Sequence, residues 1–152
     1  MLNIKNFHLL NNLSPEFSFL DMKYIIEVKY FIEYSNHFLF DEENKTNLYI
    51  TFLSQPKDSY DFYEVEMKFF RVENFKLFAS GAIQLSMLQI KDLRDRNWEN
   101  IKFQVQDVEN QDIDFYCHSI EVVSIKSSQI IDNYWFNIYS DGFSTDNVFY
   151  VN

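Results

Sequence analysis

Over residues 24–34 the chain alternates. Tyr24, Ile26, Val28, Tyr30, Ile32 and Tyr34 share one parity, and Glu27, Lys29 and Glu33 share the other. Successive side chains of an extended strand point to opposite faces, whereas a helix brings apolar residues back every three or four positions. Period two therefore predicts a strand whose Ile26, Val28 and Ile32 face is buried and whose charged face is wet.

The same signature recurs along the chain and decides the fold class. After a solvated turn at Asp41, Glu42, Glu43, Asn44 and Lys45, the residues Leu48, Ile50 and Phe52 alternate into a second strand that Pro56 ends. Over residues 62–70, Tyr63, Val65, Met67 and Phe69 alternate with Glu64, Glu66 and Lys68, and Glu73-Asn74 is read as the next turn. Residues 83–90 are apolar on both parities, as expected of a strand buried on both faces or of a short helix; periodicity does not choose between them, and a strand is the expectation taken. A polar connection over residues 92–100 carries Trp98. Ile101, Phe103 and Val105 then face Ile113, Phe115 and Cys117 across residues 107–112, which predicts a hairpin with an acidic tip. Ile120, Val122 and Ser124 continue as a strand, and residues 134–139 and 148–151 read as a last hairpin. Residues 3–12 fit a short helix or an edge strand equally.

Roughly eight strands at this spacing predict an all-β or β-dominated fold, one antiparallel sandwich or barrel-like domain over residues 1–152. A chain of 152 residues removes roughly 70% of its unfolded surface from water, enough for one core without staples. The 17 Phe and 10 Tyr suit pleated surfaces. With only two Gly and two Pro, the turns must be made by Asn, Asp and Ser, and linker-rich or collagen-like classes are excluded.

Charge narrows the partners. The net charge of −10 repels phosphate backbones and anionic headgroups, so neither nucleic acid nor membrane is expected. From residue 103 onward the acids Asp107, Glu109, Asp112, Asp114, Glu121, Asp132, Asp141 and Asp146 stand against Lys126 alone. The first twenty residues lack the pattern of a signal peptide, and no run of apolar residues is long enough to span a bilayer. The single Cys117 also suits a reducing cytoplasm, and the sequon at Asn44 then carries no meaning.

No catalytic centre is recognisable. Cys117-His118 could pair a thiol with an imidazole, but neighbours on a strand point to opposite faces, so Cys117 reads as a small buried hydrophobe and His118 as a surface residue. Asp107, Glu109, Asp112 and Asp114 lack the mid-loop glycine and closing glutamate of a Ca²⁺ loop, and read as a solvated tip. Arg94 and Arg96 beside Trp98 could form a stacking platform, or the indole could anchor the loop on the core. Phosphate-cradling, dinucleotide, zinc-protease and serine-hydrolase motifs are missing, so no cofactor or metal is expected.

Two segments, residues 64–72 (EVEMKFFRV) and Trp98, Ile101, Phe103, Val105, Asp107 and Glu109 leading to Ile113, Asp114, Phe115, Tyr116 and Cys117, resemble a known group. It consists of small, mostly uncharacterised β-rich proteins of low-GC Gram-positive bacteria, some encoded beside polymorphic toxins as immunity or accessory proteins. The resemblance covers residues 60–125 and implies no catalytic residue. Together with the charge it leads to the expectation of an inhibitor that docks an acidic surface on a basic protein such as a toxin nuclease. Trp98, Asp107, Glu109, Asp112 and Asp114 are the candidate partner-binding residues. The alternatives are a ligand-binding or structural β module whose aromatics line a cavity, and an enzyme built on carboxylates and histidine.

Overall fold

A computed structural model describes residues 3–33 and 45–128. The turn at residues 41–44 and the last hairpin at 134–139 and 148–151 lie outside the described residues. Among the described residues nine strands form two antiparallel sheets: β1 (Met22–Ile32), β2 (Thr46–Ser54), β3 (Tyr63–Phe70), β4 (Glu73–Leu77), β5 (Ile83–Gln84), β6 (Leu88–Asp92), β7 (Phe103–Asp107), β8 (Ile113–Cys117) and β9 (Ser119–Ser127). One sheet has the order β5-β1-β2-β3-β9 and the other β4-β8-β7-β6. The all-β sandwich expected from the alternation is the fold observed.

The core lies between the sheets, and the alternation places it there. In β3, Val65, Met67 and Phe69 are buried while Glu64, Glu66 and Lys68 are not. In β8, Ile113, Phe115 and Cys117 are buried. Phe69 meets Phe115 edge to face across the sandwich at 5.0 Å, and Phe75 of β4 meets the same ring at 5.8 Å. Burying each such ring contributes roughly 2–3 kcal/mol, and the edge-to-face geometry adds about 1 kcal/mol. The core aromatics thus pack on one another.

The N-terminal segment is both helix and bridge. His8–Leu13 forms α1, which buries Leu10, while Lys5 makes an isolated parallel bridge to Glu121 of β9. Six residues are too few for a stable free helix, so packing must hold it. The 3-10 turn Phe19–Asp21 that follows is closed by a capping box with Ser18 and packs on β6. Since α1 packs on β9 and that turn on β6, the segment spans from the edge of one sheet to the edge of the other.

Three local expectations are corrected. First, residues 22–32 do form a strand, but Ile26 is 38% exposed and Ile32 42%, while Ile25 is buried and Val28 half-buried. The pairing explains it: Ile25 lies opposite Phe52, Glu27 opposite Thr51 and Val28 opposite Ile50, with a register irregularity between Ile25 and Glu27. Ile26 is the extra residue of a β-bulge, which inverts the parity on one side of it. Second, Glu73-Asn74 belongs to β4. The chain does not reverse there: the pairing of β3 with β9, ending with Phe70 opposite Ser119, runs on as that of β4 with β8, with Glu73 opposite Tyr116. The segment around Arg71 (φ 53°) thus carries the chain from one sheet into the other, and Asn74 (φ 53°) marks the irregularity in the pairing of β4 with β8. Third, residues 83–90 are two strands in different sheets, with Leu85, Ser86 and Met87 carrying the chain across, so the apolar residues on both parities serve two different faces.

Candidate functional site

The acidic hairpin forms, yet its first acid turns inward. Asp107 is fully buried. Its carboxylate accepts the backbone N–H groups of Ser86 (2.9 Å), Met87 (3.2 Å), Glu109 (3.1 Å) and Asn110 (3.1 Å). These bonds tie the β7–β8 turn to the crossover before β6, and the expectation that Asp107 is solvated at the tip is corrected. A short side chain that can bond backbone N–H groups two and three residues on is what a tight turn selects. Glu109 is exposed, and Asp112 and Asp114 are half-buried; Asp114 accepts from Gln104 Nε2 at 3.1 Å. Asp114 and Gln106 line a surface concavity of about 460 Å³ with Lys76 and Phe78.

Trp98 is not part of that surface. It follows a 3-10 turn, Arg94–Arg96, and the left-handed Asn97 (φ 58°), and is 42% exposed. Its backbone carbonyl accepts from Lys102 Nζ at 2.7 Å, just ahead of β7, whereas Asp107 ends β7. The two ends of that strand are about 13 Å apart at the ordinary rise per residue. The Arg96 guanidinium lies 5.5 Å from the indole ring. Arg94 forks onto Asp92; that hydrogen bond holds the Asp92 carboxyl below its ordinary range and raises the guanidinium. The Trp98 corner is therefore aromatic and of mixed charge, Arg94, Arg96 and Lys102 standing against Asp92, Asp95 and Glu99, and the acidic tip stands apart from it.

A second acidic surface lies on the outer face of the five-stranded sheet. Pairing aligns Glu27 of β1, Thr51 of β2, Glu66 of β3 and Ser124 of β9 in one row across the strands. With Ile26, Glu64 and Lys126 these residues line a concavity of about 320 Å³. Glu27 pairs with Lys29 at 3.1 Å, and that hydrogen bond raises the lysine's pKa. Glu64 reaches Lys126 at 3.8 Å. Glu66 makes no ion pair or hydrogen bond among the described residues. Thr51 is 9% exposed, and its hydroxyl is likewise without a partner there.

The next two rows mix aromatic, basic and amide side chains: Lys29, Tyr49 and Lys68, then Phe31, Asn47 and Phe70. Tyr49 meets Phe31 edge to face at 5.6 Å, and Lys68 lies over the rings of Tyr49 (5.2 Å) and Phe70 (4.4 Å). Alternation puts Glu27, Glu64 and Glu66 on wet faces without bringing them together. Glu64 and Glu66 share a face by spacing alone, but joining them to Glu27 requires the order β1-β2-β3 and the bulge at Ile26.

Cys117 and His118 do not form a reactive pair. Cys117 is sealed in the core, and burial pushes its thiol far above the ordinary range. His118 is instead part of a surface concavity with Arg71, Asn47 and Glu33; partial burial, then the charges of Arg71 and Lys102, lower its pKa. Among the described residues no group of three or more His, Cys, Asp or Glu side chains is placed to hold a metal ion. No helix among them is long and apolar enough to cross a membrane.

No curated protein and no solved structure matches the chain. The family model described as immunity protein PIM8 matches residues 24–123. That span runs from β1 into β9 and includes both the acidic hairpin and all of the outward row except Ser124. It also extends the resemblance noted over residues 60–125 back through the first two strands. The chain therefore belongs to the immunity protein PIM8 family.

Proposed function

We propose that this protein is a stoichiometric inhibitor that neutralises a toxin by docking acidic surface on a basic partner, performing no chemistry of its own. Family membership supports an immunity-type role. The observation that carries the docking mode is the outward display of carboxylates in two places: Glu109, Asp112 and Asp114 around the β7–β8 hairpin, and Glu27, Glu64 and Glu66 on the sheet face. A nuclease is the partner chemistry this fits best, because a site that holds a phosphate backbone must be positive. Such a partner would compete with nucleic acid for the acidic surface, and the inhibitor itself would bind neither nucleic acid nor membrane and need no cofactor. A cytoplasmic location and a toxin gene nearby in a low-GC Gram-positive genome belong to the same reading.

Long-range attraction acts on association, and close contacts act on dissociation. We assign the hairpin acids Glu109, Asp112 and Asp114 to steering, with Asp107 holding the turn and Trp98 contributing aromatic contact area. The test uses the partner recovered from the native host and purified, with association followed by stopped flow. Reversing Glu109, Asp112 and Asp114 to Lys is expected to slow association about tenfold at low salt. Raising salt should slow the wild type more than the reversed variant, because the Debye length shortens from about 10 Å at 0.1 M to about 3 Å at 1 M. Should the folded variant associate at the wild-type rate across that range, the hairpin is a solvated turn and plays no part in docking.

A further inference from the structure

From the outer face of the five-stranded sheet we infer an anchor point for the partner: the concavity between Ile26, Thr51 and Glu66 receives one arginine side chain of the toxin, its guanidinium bonded to the Glu66 carboxylate and the Thr51 hydroxyl. The inference rests on the acidic-docking reading and adds the residue class that the surface recognises.

Three observations converge on it. The concavity, of about 320 Å³, carries Glu27, Glu64 and Glu66 against Lys126 alone, so its charge calls for a cation. Two of these acids already pair with lysines at close range, Glu27 with Lys29 and Glu64 with Lys126, while Glu66 makes no close ion pair among the described residues and feels Lys29 only at longer range. Independently of the acids, Thr51 lines the same concavity with nine-tenths of its surface buried and its hydroxyl unpartnered. Among the described residues the buried side-chain atoms without a partner are Ser54 Oγ and Ser128 Oγ, so the Thr51 hydroxyl opens onto the concavity, where a ligand N–H can reach it.

Shape and surroundings select the guanidinium over an ammonium. Thr51 pairs directly opposite Glu66, so the two acceptors sit side by side, within reach of one planar fork of donors. A guanidinium is also less strongly hydrated than an ammonium and gives up water more readily on entering a recess. Ile26 supplies an apolar wall on which the flat cation can lie, and it is there only because the bulge turns it outward. Val123, the extra residue where β9 departs from its register with β3, is exposed beside Ser124 and extends the apolar rim. The aromatic side chains Tyr49, Phe31 and Phe70 of the next two rows continue the same face and provide the contact area that excludes water around a central ion pair.

The test uses peptides as probes. Acetyl-Gly-Arg-Gly-amide is titrated into the full-length, ¹⁵N-labelled protein at low salt, with the corresponding Lys and Gln peptides alongside. The expected result is saturable shifts confined to the amides of Ile26, Thr51, Glu66 and Ser124, with the Arg peptide binding more tightly than the Lys peptide and the Gln peptide silent. Glu66→Gln should weaken Arg-peptide binding at least roughly tenfold, the loss of one charge-assisted hydrogen bond. Thr51→Val, which keeps the shape, should weaken it less, and the dispersion of each variant's spectrum verifies folding. Shifts spread equally over Glu109, Asp112 and the sheet face, or equal affinity for the Lys peptide, would overturn the anchor. If the hairpin reversal nevertheless slows association with the toxin, only the anchor falls and acidic docking stands; if neither responds, both fall.

Discussion

The carboxylate of Asp107, at the end of β7, accepts the backbone N–H of Ser86 at 2.9 Å across 21 residues of sequence. Met87, Glu109 and Asn110 donate to the same side chain. One buried acid thus holds both the hairpin turn and the segment that carries the chain from one sheet to the other. Asp107→Ala should destabilise the protein by on the order of 2 kcal/mol, because several N–H groups lose their acceptor at once. Asp107→Asn, which keeps one acceptor oxygen, should cost less. Urea denaturation reads both, and an alanine variant as stable as wild type would show that the network contributes nothing.

The bulge in β1 makes two adjacent isoleucines opposite in kind. Ile25 is buried against the core and Ile26 faces outward. Ile25→Ala should destabilise by roughly 2–4 kcal/mol, and Ile26→Ala by no more than about 0.5 kcal/mol. Equal losses at the two positions would mean that the bulge is placed incorrectly.

Cys117 is a packing residue. Cys117→Ala should cost about 1 kcal/mol through a small cavity and leave partner binding intact. A thiol reagent should label the native protein only as fast as the core opens. Rapid labelling coupled to loss of binding would contradict this.

His118 gives stability a pH dependence of known sign. Partial burial, then Arg71 and Lys102, lower its pKa in the folded chain, so the unfolded chain takes up the proton more readily. Its contribution is complete above the unfolded value of about 6.5 and is lost as pH falls through that value toward the lower folded one. The urea midpoint of the wild type should therefore fall more steeply from pH 7.5 to pH 5 than that of His118→Gln. Parallel curves would remove His118 from the titration.

The hairpin of β7 and β8 was legible because its pairing is local: Phe103, Val105, Ile113, Phe115 and Cys117 carry their face in their own spacing. The strand β3 was legible for the same reason. Alternation alone puts Ile26 on the wrong side of β1, since one inserted residue shifts the parity and leaves no mark in composition. Asp107 looks solvated in the sequence because nothing in a run of acids distinguishes the one whose neighbours' N–H groups converge on it.

Alternation and aromatic content by themselves determined an all-β chain, and the net charge determined that its surface would be acidic. Tertiary structure alone decided that Glu27, Thr51, Glu66 and Ser124 stand in one row, that Trp98 and the acidic hairpin lie at opposite ends of β7, and that Asp107 is buried beneath the hairpin turn. The reason is physical. The face a side chain takes within a strand follows from backbone geometry over a few residues, whereas strand order and register follow from packing between segments far apart in sequence. Such packing is selected by the fit of the whole core, which no short run of sequence contains.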